Sequence, residues 1–205
     1  MKESEMHPWA KAEREFYKKI YEDLVKELDL SKSISVLDYG AGTGGFAGFL
    51  AEYNPQIKVT AVDSNPEAVK LGMEHYQHLP NLEFLVSDEI PKGNYDLIFK
   101  NLVLHELSGK GDKKTITSFL KKAHKYLKEG GLISVLDNRK ISEEDFKQIY
   151  ENNQSKRKGT FKEEYQEHNR YTMKDWQKML EKSGFYTEKH AELPPNLFHY
   201  RGRKK

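Results

Sequence analysis

Residues 36–45 read VLDYGAGTGG: four glycines packed directly behind an apolar run, with Asp38 two positions ahead of the first. Gly40, Gly42 and Gly45 fit the spacing G-x-G-x-x-G of a dinucleotide-binding turn. That spacing alone does not separate a dinucleotide from another adenosine ligand. Bare backbone at the end of a strand lets a flat ligand approach closely, and glycine also supplies positive φ where the turn needs it. A helix starting near Gly44 would aim its free amides at an anionic group.

Outward from this turn, strands and helices alternate. SISVLDY (33–39), IKVTAVD (57–63), LEFLVSD (82–88), YDLIFKNLVL (95–104) and LISVLDN (132–138) read as strands, mostly near-continuous apolar runs. Between them, helices are expected over 44–53, from Asn65 as cap with Pro66 at the first helical position, and over 113–128 up to Gly130-Gly131. This rhythm predicts βαβ units and a parallel sheet covered on both faces, an α/β, Rossmann-like doubly wound architecture.

The flanks are read by pattern. Residues 9–30 predict an amphipathic helix with a stripe of Phe16, Ile20, Leu24 and Leu28, extended by Trp9 and Ala12, which either packs on the domain or closes over a ligand. Ser142 with Asp145 and Thr172 with Asp175 resemble capping boxes and start two late helices. The stretch 151–170 is polar and carries the basic run Lys156-Arg157-Lys158, which reads as a solvated loop. FYTEKHAEL and NLFHYRGRK, linked only by Pro194-Pro195 between them, are too close for a parallel crossover and predict an antiparallel hairpin. One domain over 1–205 is expected: a helical lid (1–32), a ligand-binding core (33–138), a variable substrate-side segment (139–171) and a closing helix and hairpin (172–205).

Composition narrows the chemistry. The chain has 205 residues, 37% hydrophobic and 32% charged, with 34 basic against 32 acidic side chains and a formal charge of +2. That balance gives no strong reason to expect a nucleic-acid partner, and the Arg201, Arg203, Lys204, Lys205 cluster reads as a solubilising tail. Cysteine is absent, so disulfides, thiolate metal sites and thiol nucleophiles are excluded. The histidines are scattered and no metal site is expected. No apolar run approaches the ~18 residues of a membrane span and no signal-peptide core is seen, so a cytoplasmic protein without a membrane partner is expected.

Three positions bear on the ligand. Asp63 ends the second strand, where a carboxylate accepts both hydroxyls of a ribose, while also capping the helix after Ser64-Asn65-Pro66. Asp88 ends the third strand, placed to accept from an exocyclic amine. Asp38 puts a negative charge beside the glycine turn, which suits an ammonium-bearing ligand and not a pyrophosphate.

In these motifs the chain resembles the class I S-adenosylmethionine-dependent methyltransferases, in particular the small-molecule type related to ubiquinone and menaquinone biosynthesis. VLDYGAGTGG, VTAVDSNPEAV, LEFLVSD, YDLIFKNLVLHEL and LKEGGLISVLD match the family's successive strand motifs, over about 33–138, and the closing hairpin matches its reversed pair. The resemblance implies a seven-stranded sheet and S-adenosylmethionine as cofactor, leaving as S-adenosylhomocysteine. It implies that Asp38 helps hold the methionine ammonium, that Gly40, Ala41, Gly42 and Gly44 underlie the ligand, that Asp63 and Ser64 meet the ribose, that Asp88 and Glu89 meet the adenine, and that Asn101 lies beside the methionine chain. Relatives often carry a small residue where Glu89 stands. His105, just past the fourth strand, is the candidate general base, with Glu106 a weaker one; a structural histidine in the following helix is the competing reading.

The acceptor is expected to be a small molecule methylated at O, N or C. The Asn/Asp-Pro-Pro-aromatic turn of enzymes that methylate exocyclic base amines is missing, because Lys100-Asn101-Leu102-Val103 stands in its place. His168, Arg170 and Tyr171 are candidates to meet an acidic or aromatic acceptor. An RNA methyltransferase, a non-catalytic S-adenosylmethionine binder and an NAD-dependent oxidoreductase stay open as alternatives.

Overall fold

The computed structural model describes residues 8–102, 104, 107, 112–152 and 159–205, with side chains of the first helix from Glu15 onward. The elements run α1 (Pro8–Val25), β1 (Ile34–Tyr39), α2 (Gly45–Tyr53), β2 (Ile57–Asp63), α3 (Pro66–Tyr76), β3 (Leu82–Val86), β4 (Tyr95–Asn101), α4 (Lys113–Tyr126), β5 (Leu127–Asn138), α5 (Glu143–Asn152), α6 (Phe161–His168), α7 (Met173–Lys182), β6 (Phe185–Leu193) and β7 (Leu197–Lys204). The strands form one seven-stranded sheet in the order β3-β2-β1-β4-β5-β7-β6. β1 pairs parallel with β2 and β4, β2 pairs parallel with β3, and β7 runs antiparallel to both β5 and β6. The chain divides into two compact units, one reaching Lys100 and including 126–131, the other taking in Asn101–Lys125 and the residues from Leu132.

In the first unit an aromatic layer binds helices to strands. Phe46 of α2 lies 3.8 Å from Phe99 of β4, and Tyr21 of α1 contacts Phe46 at 4.7 Å and Phe99 at 5.8 Å between ring centroids. Burying each such ring contributes about 2 kcal/mol. The buried stripe of α1 is Tyr17, Tyr21, Leu24 and Val25, while Phe16 is 65% exposed. The expected stripe was rotated because it counted aliphatics and Phe16 but passed over the tyrosines, whose rings carry the packing. α3 starts as expected: the Asn65 side chain accepts from the amides of Glu67 and Ala68, with Pro66 behind it. No helix links β3 to β4. The chain from Ser87 to Asn94 makes the crossing, anchored by buried Ile90 and Tyr95. β3, at the sheet edge, is only partly covered, and Val86 is exposed.

β5 begins earlier than the glycine pair suggested. Leu127 is buried and Lys128 bonds Asp96 at 2.6 Å, which draws 127–131 into the strand and leaves Gly130 as a positive-φ residue within it.

In the second unit both late helices start at the expected residues: Ser142 Oγ accepts from the Asp145 amide and donates to its carboxylate, and Thr172 and Asp175 form a full capping box. The polar stretch 151–170 holds a helix that the sequence reading did not single out. Thr160 and Glu163 form a further capping box, and α6 follows, with Tyr165 packed on Phe146 at 5.3 Å and on Phe161 at 5.8 Å. Lys156-Arg157-Lys158 lie outside the described residues. The C-terminal basic cluster is largely strand rather than tail: Arg201 is buried in β7 and Arg203 is ion-paired to Glu188. Trp176 locks α7 to the end of β5, donating to the Asn138 carbonyl at 3.0 Å and stacking near Phe198. Among the described residues, no helix is long and apolar enough to cross a membrane.

Candidate functional site

The first unit gathers nine of the expected cofactor positions, every one but Asn101, at or just beyond the carboxyl ends of β1, β2 and β3. Gly40, Gly42 and Gly44 all have positive φ, 77°, 54° and 86°. The amides of Gly40 and Ala41 are spent on the Val62 carbonyl, which fixes the turn against β2. Gly42 and Gly44 have different reasons to be small. A Cβ on Gly42 would meet nothing within 4 Å, so its face is open to a ligand. A Cβ on Gly44 would lie 2.5 Å from Phe84, so bareness there serves packing of α2.

Asp63 is the hub of this end. One carboxylate oxygen accepts from the Gly42 amide at 2.8 Å and the other from the Asn65 amide at 2.8 Å. Each oxygen retains a further lone pair for a ligand donor. Ser64 follows it, exposed.

Asp38 is buried, and its carboxylate accepts from the Ala47 amide at 3.2 Å. Gly44, at the N-cap of α2, has no side chain to cap with. Asp38 therefore supplies the cap from the strand, and its charge sits favourably at a helix N-terminus. The same charge would repel a pyrophosphate and attract an ammonium.

Asp88 and Glu89 are exposed at the start of the β3–β4 link. Sequence reasoning missed the residue that organises them, Tyr39. Its hydroxyl donates to the Asp88 carbonyl at 2.5 Å, tying the end of β1 to the link after β3. Burial, then the carboxylates of Asp88, Asp63 and Glu89, push the Tyr39 phenol up to about 12, so it remains a donor at neutral pH. The ammonium of Lys100, a fully buried side chain on β4, lies 4.7 Å from the Tyr39 ring centroid. The signal was the pairing of an aromatic next to Asp38 with a lysine inside an apolar strand.

Asn101 closes β4 and belongs to the second unit. His105 and Glu106 lie outside the described residues. His168 is held by Glu164 at 3.3 Å and faces the Asn138 amide at 3.5 Å. Arg170 donates to the Gln166 carbonyl, and Tyr171 lies under the Lys113 ammonium. These three are thus already engaged within the second unit. A groove of about 530 Å³ lined by Ser35, Lys58, Thr60 and Glu83 lies at the amino ends of the strands, the end opposite to where open α/β sheets bind ligands.

Comparison with known proteins bears on the family and the fold. Trans-aconitate 2-methyltransferase of Azoarcus sp. is 31% identical over 116 residues, covering 55% of this chain and 42% of that protein. Malonyl-(acyl-carrier protein) O-methyltransferase 1 of Ilyobacter polytropus is 30% identical over 122 residues, covering 52% of this chain and 45% of that protein. The chain therefore spans less than half the length of these curated relatives. A SAM-dependent methyltransferase from Aquifex aeolicus shares the fold, with a TM-score of 0.65 at 24% identity over 90% of this chain and 89% of that one. The methyltransferase domain family matches residues 30–184, more than half of the sequence, and the chain belongs to that family.

Proposed function

We propose that the chain binds S-adenosylmethionine over the Gly40–Gly44 turn and directs its methyl group to an oxygen, nitrogen or carbon of a small-molecule acceptor. The observation that carries this reading is the Asp63 carboxylate, held by two amides next to Gly42, whose own Cβ face is open. Asp63 would accept the two ribose hydroxyls. Asp88, set by Tyr39, would accept from the adenine amine, with Glu89 beside it. Asp38 would balance the ammonium of the methionine part. Family membership and the names of the curated relatives support the same activity.

When bound, the cofactor supplies a sulfonium methyl that leaves to a nucleophile in line with the breaking bond. The residues named above hold and orient it; positioning of this kind supplies much of the rate. The buried Asp38 argues against the dinucleotide alternative, because a pyrophosphate over this turn would lie against a buried negative charge.

The test is thermal unfolding with S-adenosylhomocysteine, S-adenosylmethionine or NADH, on the native chain and on Asp63→Ala. A ligand at ~100 times its Kd stabilises the fold by about 2.7 kcal/mol. A shift with the two adenosyl sulfur ligands, absent with NADH and diminished in Asp63→Ala, supports the reading. A shift with NADH alone overturns it.

A further inference from the structure

The near-neutral charge of the whole chain conceals a strong segregation within the second unit. α4 carries five lysines and no acidic residue, and α7 carries three lysines against Asp175 and Glu181. With 34 basic and 32 acidic residues in total, the rest of the chain is net negative.

The two helices present these charges together. Lys113 at the start of α4 bonds Asp175 at the start of α7, 2.9 Å away. At the far end, the His124 ring lies 5.3 Å from Phe185, and a Cβ on Gly184 would touch it at 2.6 Å. Start meets start and end meets end, so α4 and α7 run side by side in the same direction. On α4, Lys114, Lys121 and Lys125 are exposed at i, i+7 and i+11, within one narrow arc. On α7, Lys174, Lys178 and Lys182 are exposed at i, i+4 and i+8. The result is two parallel rows of ammonium groups, the longer about 16 Å in length at 1.5 Å per residue, with helix axes roughly 8–10 Å apart.

We propose that this face docks the phosphate backbone of a nucleic-acid duplex, without reading its sequence. The composition of the face chooses among polyanions. Apart from the lysines, the exposed residues of the two helices are Ser118 and Glu181. Protein interfaces are depleted in lysine and rely on aromatic and arginine anchors, of which this face exposes none. A helix seated on a membrane buries apolar side chains, and here none point outward. Lysine with an interspersed hydroxyl is the equipment of phosphate contact, and two cationic rows suit the two phosphate ridges that border a groove. This docking does not depend on the cofactor reading.

The experiment is fluorescence anisotropy of a labelled duplex of about 20 base pairs, RNA and DNA in turn, titrated with the full chain in about 50 to 200 mM salt. Engagement of about four lysines gives a slope of log affinity against log salt near −3 to −4. Lys114→Glu, Lys121→Glu, Lys174→Glu and Lys178→Glu combined should cut affinity at least tenfold, and the four Lys→Gln changes should reduce the slope. Circular dichroism, Tm and the response to S-adenosylhomocysteine should be retained by both variants. Absence of binding at the lowest salt overturns the proposal, as does binding that both variants leave intact. Lysine-dependent binding to phosphatidylserine vesicles with no duplex binding overturns it in favour of a membrane surface.

Discussion

The Gly42 amide donates to the Asp63 carboxylate across 2.8 Å, joining the turn after β1 to the end of β2. The bond sets the orientation of the acid and leaves the face of Gly42 open, so ligand affinity and stability can be separated there. Gly42→Ala places a Cβ in empty space at φ 54°, and its stability cost is the left-handed backbone term of about 1–2 kcal/mol. The same Cβ projects where the ligand would lie, so S-adenosylhomocysteine affinity should fall by more than that. Gly48→Ala should behave oppositely. Its Cβ would come within 2.3 Å of the Tyr76 ring, an overpacking cost of about 1–3 kcal/mol, without touching the ligand face. Urea unfolding and calorimetric titration on both variants check the pair; equal affinity losses in the two would refute the assignment of the open face.

Asp38 has one role seen in the structure, as a cap, and one proposed, as a counter-charge, and substitution separates them. As a cap it accepts from Ala47, and Asn in its place still offers an acceptor, so Asp38→Asn should cost only about 1 kcal/mol in stability. As a counter-charge it has no neutral substitute. Affinity for S-adenosylhomocysteine should drop about tenfold or more, while 5′-methylthioadenosine, which lacks the ammonium, should bind as before. Parallel losses for the two ligands would make Asp38 a cap alone.

Tyr39 links pH to the same end of the sheet. Its phenol rises from 10.0 to about 12 on folding, so the folded state favours the protonated form. The stability this contributes is present in full below pH 10 and is lost as pH rises through about 12. Tyr39→Phe removes that term and the bond to Asp88, so the variant should be less stable at neutral pH but lose less on going from pH 10 to 12. Ultraviolet titration should show one high-pH phenolate step missing, and unfolding at each pH should show the curves converging. Curves that stay parallel would refute the shift.

What the sequence revealed follows from the range over which each signal acts. The turn at Gly40, the acid at Asp63 and the cap at Asn65 were legible because each depends on a few neighbouring residues. α6 was hidden by its polarity, although Thr160 and Glu163 announced its start and Phe161 and Tyr165 its buried face. Tyr39 and Lys100 lie 61 positions apart and acquire meaning only when β1 pairs with β4. The charge on α4 and α7 was invisible to the overall balance, since segregation is a property of packed helices and not of composition.

Asp175 gives the clearest acid-side expectation. Its carboxyl accepts from the Thr172 hydroxyl and amide and from Lys113, and the hydroxyl and then Lys113 bring it down to about 2. A depressed carboxyl contributes stability that is present above its ordinary value of 3.8 and lost as pH falls through about 2. The side chain is 32% exposed, so solvent screening reduces the Lys113 share and leaves the cap as the main contribution. Asp175→Asn should therefore cost about 1 kcal/mol at pH 7. The gap between variant and native chain should close as pH falls from 3.8 toward 2, and high salt should narrow it only slightly. Thr172→Ala should cost about the same through the cap, and Lys113→Ala distinctly less. If Lys113→Ala proved the costliest of the three, the ion pair rather than the cap would be what holds the start of α7.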